Sequence, residues 1–212
     1  MLIVHGRAYS SNVQIVMWAI GELGLAHERR DAGHKFGGLD TPEFLAMNPM
    51  GRVPVLQDGD VTLFESAAIL RYLASRYGDS DFWPTDPAAR AQLDQWAEWT
   101  KNTLAPSVNP IYMHQVVADP AAYDPAKVAP FAAEAGRLAQ MLDARLGDGP
   151  WLAGDTFTFA DIAVGHTLWR YFGLDFDRPD TTNLSAYHAR LKERPAYQTH
   201  GMIDWEVHRF GA

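Results

Sequence analysis

The 212-residue chain contains no cysteine. That absence excludes disulfides, thiolate zinc sites and any catalytic or redox cysteine of the protein's own. Apolar runs of the ~20 residues that a membrane-spanning helix needs are also missing. The N-terminus lacks the charged segment and long apolar stretch of a secretory signal, so we expect a cytoplasmic protein. The eight histidines show no spacing typical of a metal site, so we expect no metal.

Positive charge is in deficit, with 18 lysines and arginines against 26 acidic residues and a formal net charge of −8. Such a surface disfavours unspecific binding to nucleic acid or to an anionic membrane. Charged residues are only 21% of the chain and apolar residues 47%, which predicts a folded protein with a sizeable core. An anionic small ligand stays possible, because a single site can be locally positive.

The first 79 residues alternate between strand and helix patterns, which predicts an α/β unit with a mixed sheet. The Asp58-Gly59 pair is a strong hairpin signal between two of the strands. The predicted elements are a strand at Leu2–His5, a helix capped by Asn12 and ending near Gly24, a weak strand at Ala26–Asp31, a short helix from Thr41-Pro42 that buries Phe44 and Leu45, strands at Val53–Leu56 and Val61–Phe64, and a helix from Glu65.

The second half, residues 87–212, follows a polar linker and carries only helical patterns, so we expect an all-α bundle there. Predicted helices run over Pro87–Leu104, Pro125–Leu146, Phe159–Phe172 and Leu184–Lys192. Pro106 and Pro110 are expected to kink or end the first of them. Thr158 and Asp161 have the spacing of a capping box at the start of the third, which indicates a role in folding.

Two short segments of the α/β unit have the chemistry to bind a peptide-like ligand. Glu65 and Ser66 open a helix, whose free N–H groups attract a carboxylate, while Glu65 can accept from an ammonium. Together they suit the head of an amino acid, although an ordinary helix cap fits the same residues. Pro54 begins a strand; a cis bond would turn the main chain of Val53 toward an extended ligand, whereas an edge proline merely discourages aggregation.

With these segments in this order, the chain resembles the cytosolic glutathione transferases, and most of all the bacterial, theta-like enzymes that use a serine. The resemblance implies a thioredoxin-like first domain (1–79), a helical second domain (87–212) that lines the electrophile site, and a homodimer. It also implies that Pro54 is cis, that Val53 binds the cysteinyl backbone of glutathione, and that Glu65 and Ser66 hold its γ-glutamyl head. The predicted glutathione-binding residues are Lys35, Arg52, Val53, Pro54, Glu65 and Ser66.

The reactive sulfur must then come from the bound glutathione, a co-substrate, since the protein has none of its own thiols. Lowering a thiol pKa from ~8.5 by two units needs ~2.7 kcal/mol of preference for the anion. A hydroxyl hydrogen bond to the charged thiolate contributes ~1.5–3 kcal/mol to this preference, and a helix N-terminus contributes ~0.3–1 kcal/mol. Ser10, Ser11 and Asn12 lie where the first helix begins, and the resemblance favours Ser10; Tyr9 is a weaker candidate, and a capped loop without chemistry stays open.

Theta-like relatives carry basic residues before the helix that Thr41 opens, where this chain has Leu39 and Asp40. Lys35 or His34 could substitute in holding the glycine carboxylate. The predicted electrophile pocket comprises Trp99, Asn102, Tyr112, Met113 and Trp169, mostly aromatic residues that equally suit a core. Glutathione-dependent peroxide reduction, reductive cleavage and a non-catalytic interaction role remain alternatives to transfer.

Overall fold

A computed structural model describes residues 1–211, which divide into two compact units. The first contains Met1–Asp79 and Pro195–Ile203, and the second contains Ser80–Arg194 together with the C-terminal segment from Asp204. This division concerns compactness, so the functional domains 1–79 and 87–212 stay a prediction.

The first unit is built on a mixed sheet whose strand order is β2-β1-β3-β4. The strands are β1 (Leu2–His5), β2 (His27–Arg30), β3 (Val55–Asp58) and β4 (Val61–Phe64). β1 pairs parallel with β2 and antiparallel with β3. The β3–β4 hairpin turns at Gly59-Asp60, one residue after the predicted Asp58-Gly59 pair, because Asp58 still pairs with Val61. The third strand starts two residues later than predicted, because Pro54 has no N–H to donate to a ladder.

Helices cover both faces of this sheet: α1 (Ser11–Glu22), α2 (Pro42–Met47) and α3 (Ser66–Tyr77). One core lies between the sheet, α1 and α3, and α2 contributes Phe44 to a second cluster with Ala32 and Val55. Thr41 caps α2 as predicted, accepting from the backbone N–H of Phe44. Two predictions are wrong: Leu45 is exposed, and α1 is capped by Ser10, since the chain turns helical at Ser11 and so places Asn12 inside the first turn.

A short helix near the C-terminus, Pro195–His200, packs on α1 within the first unit. The fully buried Trp18 stacks on Tyr197 with ring centroids 4.4 Å apart. A Cβ at Gly21 would lie 3.0 Å from the Cβ of Ala196, so glycine lets the two helices approach. This helix was not predicted from the sequence, because six residues are too few to show a helical repeat of apolar positions.

The second unit is helical in its regular structure. Its α-helices are α4 (Pro87–Trp99), α5 (Ala105–Tyr112), α6 (Pro125–Leu146), α7 (Phe159–Gly173) and α8 (Thr182–Glu193). Wider π-helical turns at Thr100–Leu104 and Met113–Val117 flank α5. Neither Pro106 nor Pro110 ends the helical run. Pro106 lies in the first turn of α5, and the π turns on either side of α5 accommodate the altered hydrogen bonding. Whether the prolines kink it stays a prediction.

The predicted capping box begins α7. Thr158 accepts from the first turn, and the fully buried Asp161 carboxylate accepts from the N–H of Thr158 at 2.8 Å. The same carboxylate accepts from the N–H of Leu152 and the hydroxyl of Tyr187, each at 3.0 Å. Burial raises the pKa of Asp161 to about 6, against the opposing effect of these donors. Asp161 therefore joins α7, α8 and the preceding loop.

Candidate active site

The N-terminus of α1 holds the three residues proposed from the sequence to meet a thiol. Ser10 is the N-cap, 8% exposed, and its carbonyl accepts from the N–H of Gln14 at 2.9 Å. An N-cap serine normally turns its hydroxyl onto the first helical N–H groups. Within residues 1–211 the Ser10 side chain makes no such capping bond, so its hydroxyl is available to an incoming partner beside the positive end of the helix.

Ser11 and Asn12 are placed differently from Ser10. Ser11 is the first helical residue and is half-buried, whereas Asn12 is exposed. Asn12 Oδ1 accepts a hydrogen bond from the Ser66 hydroxyl at 3.1 Å. The structure thus brings two predicted site residues together and links the N-termini of α1 and α3.

The N-terminus of α3 has an unusual backbone. Glu65 caps it with φ 70° and ψ 110°, a conformation that side chains other than glycine rarely adopt. Such residues cost of order 1–3 kcal/mol and cluster at ligand sites. Ser66, which follows, is 5% exposed and begins the helix, where the first N–H groups have no acceptor within the helix itself. This geometry suits a carboxylate ligand.

The segment that enters β3 contains the one cis peptide bond among the described residues, Val53-Pro54, as the resemblance implied. Pro54 is buried and Val53 half-buried. Asn48, 3% exposed, supports the preceding turn: its amide donates to the Arg52 carbonyl at 2.7 Å, and its Oδ1 accepts from the Met50 N–H at 3.0 Å. Sequence reasoning assigned Asn48 no role, although asparagine before proline is a turn signal. The Arg52 side chain is exposed.

Two cations, Lys35 and Arg7, lie at or beside the glycine-rich loop of residues 33–38. Lys35 is exposed on a 3₁₀ turn (His34–Phe36), with its ammonium 5.5 Å from the Phe36 ring centroid. Arg7, which sequence reasoning missed, lies 5.5 Å above the Tyr9 ring and has a buried Nε without a hydrogen-bond partner. A Cβ at Gly33 would lie 2.9 Å from Arg7 Nη1, so a larger residue there would require the guanidinium to shift, and the positive φ of 79° also favours glycine. No sequence pattern singles out a loop arginine.

A cavity of about 430 Å³ borders the same loop. Its lining includes His34, Leu39 and Asp40 on one side and Pro49, Met50 and Gly51 on the other. His34 Nδ1 also forms a hydrogen bond with the Tyr9 hydroxyl at 3.1 Å. The Tyr9 hydroxyl thus already has a partner, in contrast to the hydroxyl of Ser10.

The predicted electrophile residues fall into two groups in the second unit. Trp99 packs edge-on against Trp96, with centroids 5.1 Å apart, and Asn102 donates to Glu98 at 3.0 Å. Tyr112, 4% exposed, and Trp169 both contact Trp205, with centroid distances of 6.0 and 6.2 Å. Met113 follows Tyr112 and is 51% exposed.

Trp205, to which sequence reasoning gave no role, thus contacts two of the predicted residues. It belongs to the segment after the last predicted helix, where no periodicity marks it. It also lines a cavity of about 440 Å³ with His114 and Leu174. A Cβ at Gly173 would lie 2.4 Å from the Trp205 ring, so glycine at this helix end admits the indole.

No group of histidine, cysteine, aspartate or glutamate residues within 1–211 is arranged to hold a metal ion. None of the helices in that range is long and apolar enough to cross a membrane.

Two family models match the chain: the glutathione S-transferase N-terminal domain over residues 2–75 and its C-terminal domain over residues 111–195. Escherichia coli (strain K12) glutathione S-transferase GstB is 37% identical over 205 residues, which cover 96% of this chain and 99% of that protein. Glutathione S-transferase 3 of Zea mays is 36% identical over 207 residues, covering 92% and 90%.

A solved structure is also similar to this chain. The theta class glutathione S-transferase from Xanthomonas axonopodis pv. citri, with glutathione bound, matches with a TM-score of 0.89 and 39% identity, covering 96% of this chain and 98% of that one.

Proposed function

The chain belongs to the glutathione S-transferase family, in its bacterial theta-like group, and on that premise we propose that it activates the thiol of glutathione for attack on a small apolar electrophile. Relatives that match nearly the whole chain are named as transferases, so peroxide reduction, reductive cleavage and a non-catalytic role are not favoured.

The observation that carries the mechanism concerns Ser10. It is the N-cap residue of α1, but its hydroxyl makes no capping hydrogen bond within residues 1–211. It donates to the glutathione sulfur and favours the thiolate, with the N-terminal dipole of α1 adding to the effect. The thiol proton passes to solvent. The sulfur lone pair then forms the new C–S bond, and the leaving group departs with the electrons of the bond that breaks.

The rest of glutathione is held by groups of the same unit. The main chain of Val53 pairs with the cysteinyl backbone, and Glu65 with Ser66 binds the γ-glutamyl head. In this proposal Asn12 is a positioning residue rather than the thiol donor, because its Oδ1 fixes the Ser66 hydroxyl at 3.1 Å.

The glycine carboxylate needs a cation that the family pattern does not supply at Leu39 and Asp40. Lys35 fills that role in our proposal, with Arg7 as a second source of positive charge beside Gly33. Arg52, exposed at the turn before Val53, adds charge on the other side of the segment. Replacing Lys35 by Gln should raise the KM for glutathione, and an unchanged KM would move the role to Arg7.

The electrophile pocket remains the predicted set Trp99, Asn102, Tyr112, Met113 and Trp169, to which we add Trp205 because it contacts two of them. Aromatic faces gather an apolar electrophile and raise its local concentration. The family resemblance further predicts a homodimer of twice the 23.6 kDa chain mass, which sedimentation would test.

Transfer of glutathione to 1-chloro-2,4-dinitrobenzene tests the function directly. Ser10→Ala should lower kcat about 100-fold, by analogy with the loss of one oxyanion donor. Ser11→Ala is the matched control, since it removes the adjacent hydroxyl, and should stay within about threefold of the native enzyme. Absence of transfer to any electrophile in an enzyme that binds glutathione would overturn the proposed function.

A further inference from the structure

Arg170, on α7 of the helical unit, is a partly buried cation that pairs with no carboxylate among residues 1–211. Its guanidinium carbon lies 4.0 Å from the centroid of the Tyr112 ring. Its Nη1 donates to Asn109 Oδ1 at 3.2 Å. Burial lowers the pKa of Arg170 from its ordinary value, with Tyr112 acting in the opposite direction. Throughout residues 1–211 it forms no ion pair.

A charge in such a position is normally paired, because removing a cation from water is costly. The guanidinium has five N–H donors in a planar fork that matches a carboxylate. One donor is taken by a neutral amide, which satisfies geometry without neutralising the charge. The remaining donors and the uncompensated charge make this group suited to an anion.

The neighbours of Arg170 connect it to the proposed electrophile pocket. Tyr112 lies under the guanidinium, and Trp169 precedes it on α7. Both rings contact Trp205. The Tyr112 hydroxyl is bound to His208 Nδ1, which fixes the ring beneath the cation. The arginine therefore belongs to the aromatic cluster that would hold the electrophile.

We propose that Arg170 binds a carboxylate on the electrophile, so that the enzyme prefers acidic electrophiles over neutral ones of the same shape. This inference rests on the proposed function and specifies its substrate class. With a formal net charge of −8, the chain as a whole repels anions. A cation next to the pocket supplies the local attraction that overcomes this field.

A matched pair of substrates tests the proposal: 4-chloro-3,5-dinitrobenzoate and its primary amide. In both, the thiolate sulfur bonds to the ring carbon that carries chlorine, and chloride leaves with the bonding pair. The two have nearly the same shape and differ in one substituent, which is an anionic carboxylate in the first and a neutral amide in the second. We expect the native enzyme to have the higher kcat/KM for the benzoate after correction for the uncatalysed rates.

Arg170→Gln should lower kcat/KM for the benzoate about 30-fold relative to the amide, the loss expected for a charged hydrogen bond. Asn109→Asp keeps the arginine but offers it a carboxylate at the place of the present amide, and should lower the same ratio. Because Asn109 is exposed, this variant folds even if Arg170→Gln does not. Arg137→Gln is the control, as it removes an exposed arginine that pairs with Glu134 at 2.7 Å.

Equal losses on both substrates in Arg170→Gln and an unchanged ratio in Asn109→Asp would overturn the inference and leave the proposed function intact. Failure of the native enzyme on both substrates and on 1-chloro-2,4-dinitrobenzene would instead count against the proposed function. In that case, calorimetric titration with the two preformed glutathione conjugates decides the inference. Arg170→Gln must weaken only the carboxylate conjugate, and equal weakening of both would refute it.

Discussion

The helices α1 and α7 are both capped by a hydroxyl residue, and they use it in opposite ways. At α7 the side chains of Thr158 and Asp161 are both committed to the surrounding donors, and both residues are fully buried. At α1 the Ser10 side chain makes no capping bond although it is only 8% exposed. The cap of α7 satisfies itself and stabilises the fold, whereas the cap of α1 leaves its hydroxyl available to a ligand.

The largest expected effect is on the stability of the fold, through the cap of α7. Asp161→Ala should lower the free energy of unfolding by about 3–5 kcal/mol, because the N–H groups of Leu152 and Thr158 and the Tyr187 hydroxyl lose their acceptor in the core. Urea denaturation at pH 7.5 measures it, with Asp161→Asn, which keeps one acceptor, as the milder control. A loss below about 1 kcal/mol would show that the box is dispensable.

The second prediction concerns the pH dependence of stability, which a buried histidine of the helical unit should cause. His188 is 5% exposed and stacks on Phe172 at 4.5 Å, and burial lowers its pKa to about 4. The unfolded histidine binds a proton near pH 6.5. The neutral folded form is therefore stable above pH 6.5, and stability is lost as pH falls from 6.5 toward 4, by about 2 kcal/mol at pH 5.

His188→Phe keeps a ring against Phe172 and removes the titration. The difference in unfolding free energy between pH 7.5 and 5 should shrink by that amount in the variant, whatever its stability at pH 7.5. Identical pH profiles for the two proteins would contradict the role given to burial at this position.

The third prediction separates positioning from thiol activation at the α1 terminus. Asn12→Ala frees the Ser66 hydroxyl from its acceptor, so the KM for glutathione should rise about fivefold while kcat stays within about twofold. Steady-state kinetics with varied glutathione measures both constants. A fall in kcat comparable to that of Ser10→Ala would reassign the thiol donor to Asn12.

The smallest effect is expected in the stability of Ser10→Ala. A serine cap that uses its hydroxyl is worth ~1 kcal/mol, but Ser10 makes no capping bond, so its loss should change the unfolding free energy by less than about 0.5 kcal/mol. The same denaturation experiment that serves Asp161→Ala provides the value. A larger loss would mean that the two termini are alike.

Local signals in the sequence predicted most of the elements, whereas the cis Val53-Pro54 bond was implied only by the family resemblance. The helix α6 begins at Pro125 and ends before Gly147, as its cap and proline indicate. The hairpin β3–β4 followed from Asp58-Gly59. In these cases the deciding interactions lie within a few residues of each other.

Features that depend on distant partners escaped prediction. The packing of Tyr197 on Trp18 joins residues far apart in sequence, and Trp205 meets Tyr112 and Trp169 only through tertiary packing. The cap of α1 is Ser10 rather than the predicted Asn12, because serine and asparagine favour the cap position almost equally and the sequence alone does not fix where the helix begins. Arg170 gave no signal, since a missing counter-charge is visible only in three dimensions.

The pKa of glutathione bound to the enzyme tests the central claim most directly. The ultraviolet absorbance of the thiolate, titrated for native enzyme, Ser11→Ala and Ser10→Ala saturated with glutathione, gives this value. We predict a pKa about two units below that of free glutathione in the first two proteins and a return most of the way to the free value in Ser10→Ala. An unchanged, low pKa in Ser10→Ala would contradict the assignment of the free cap of α1 as the thiol activator.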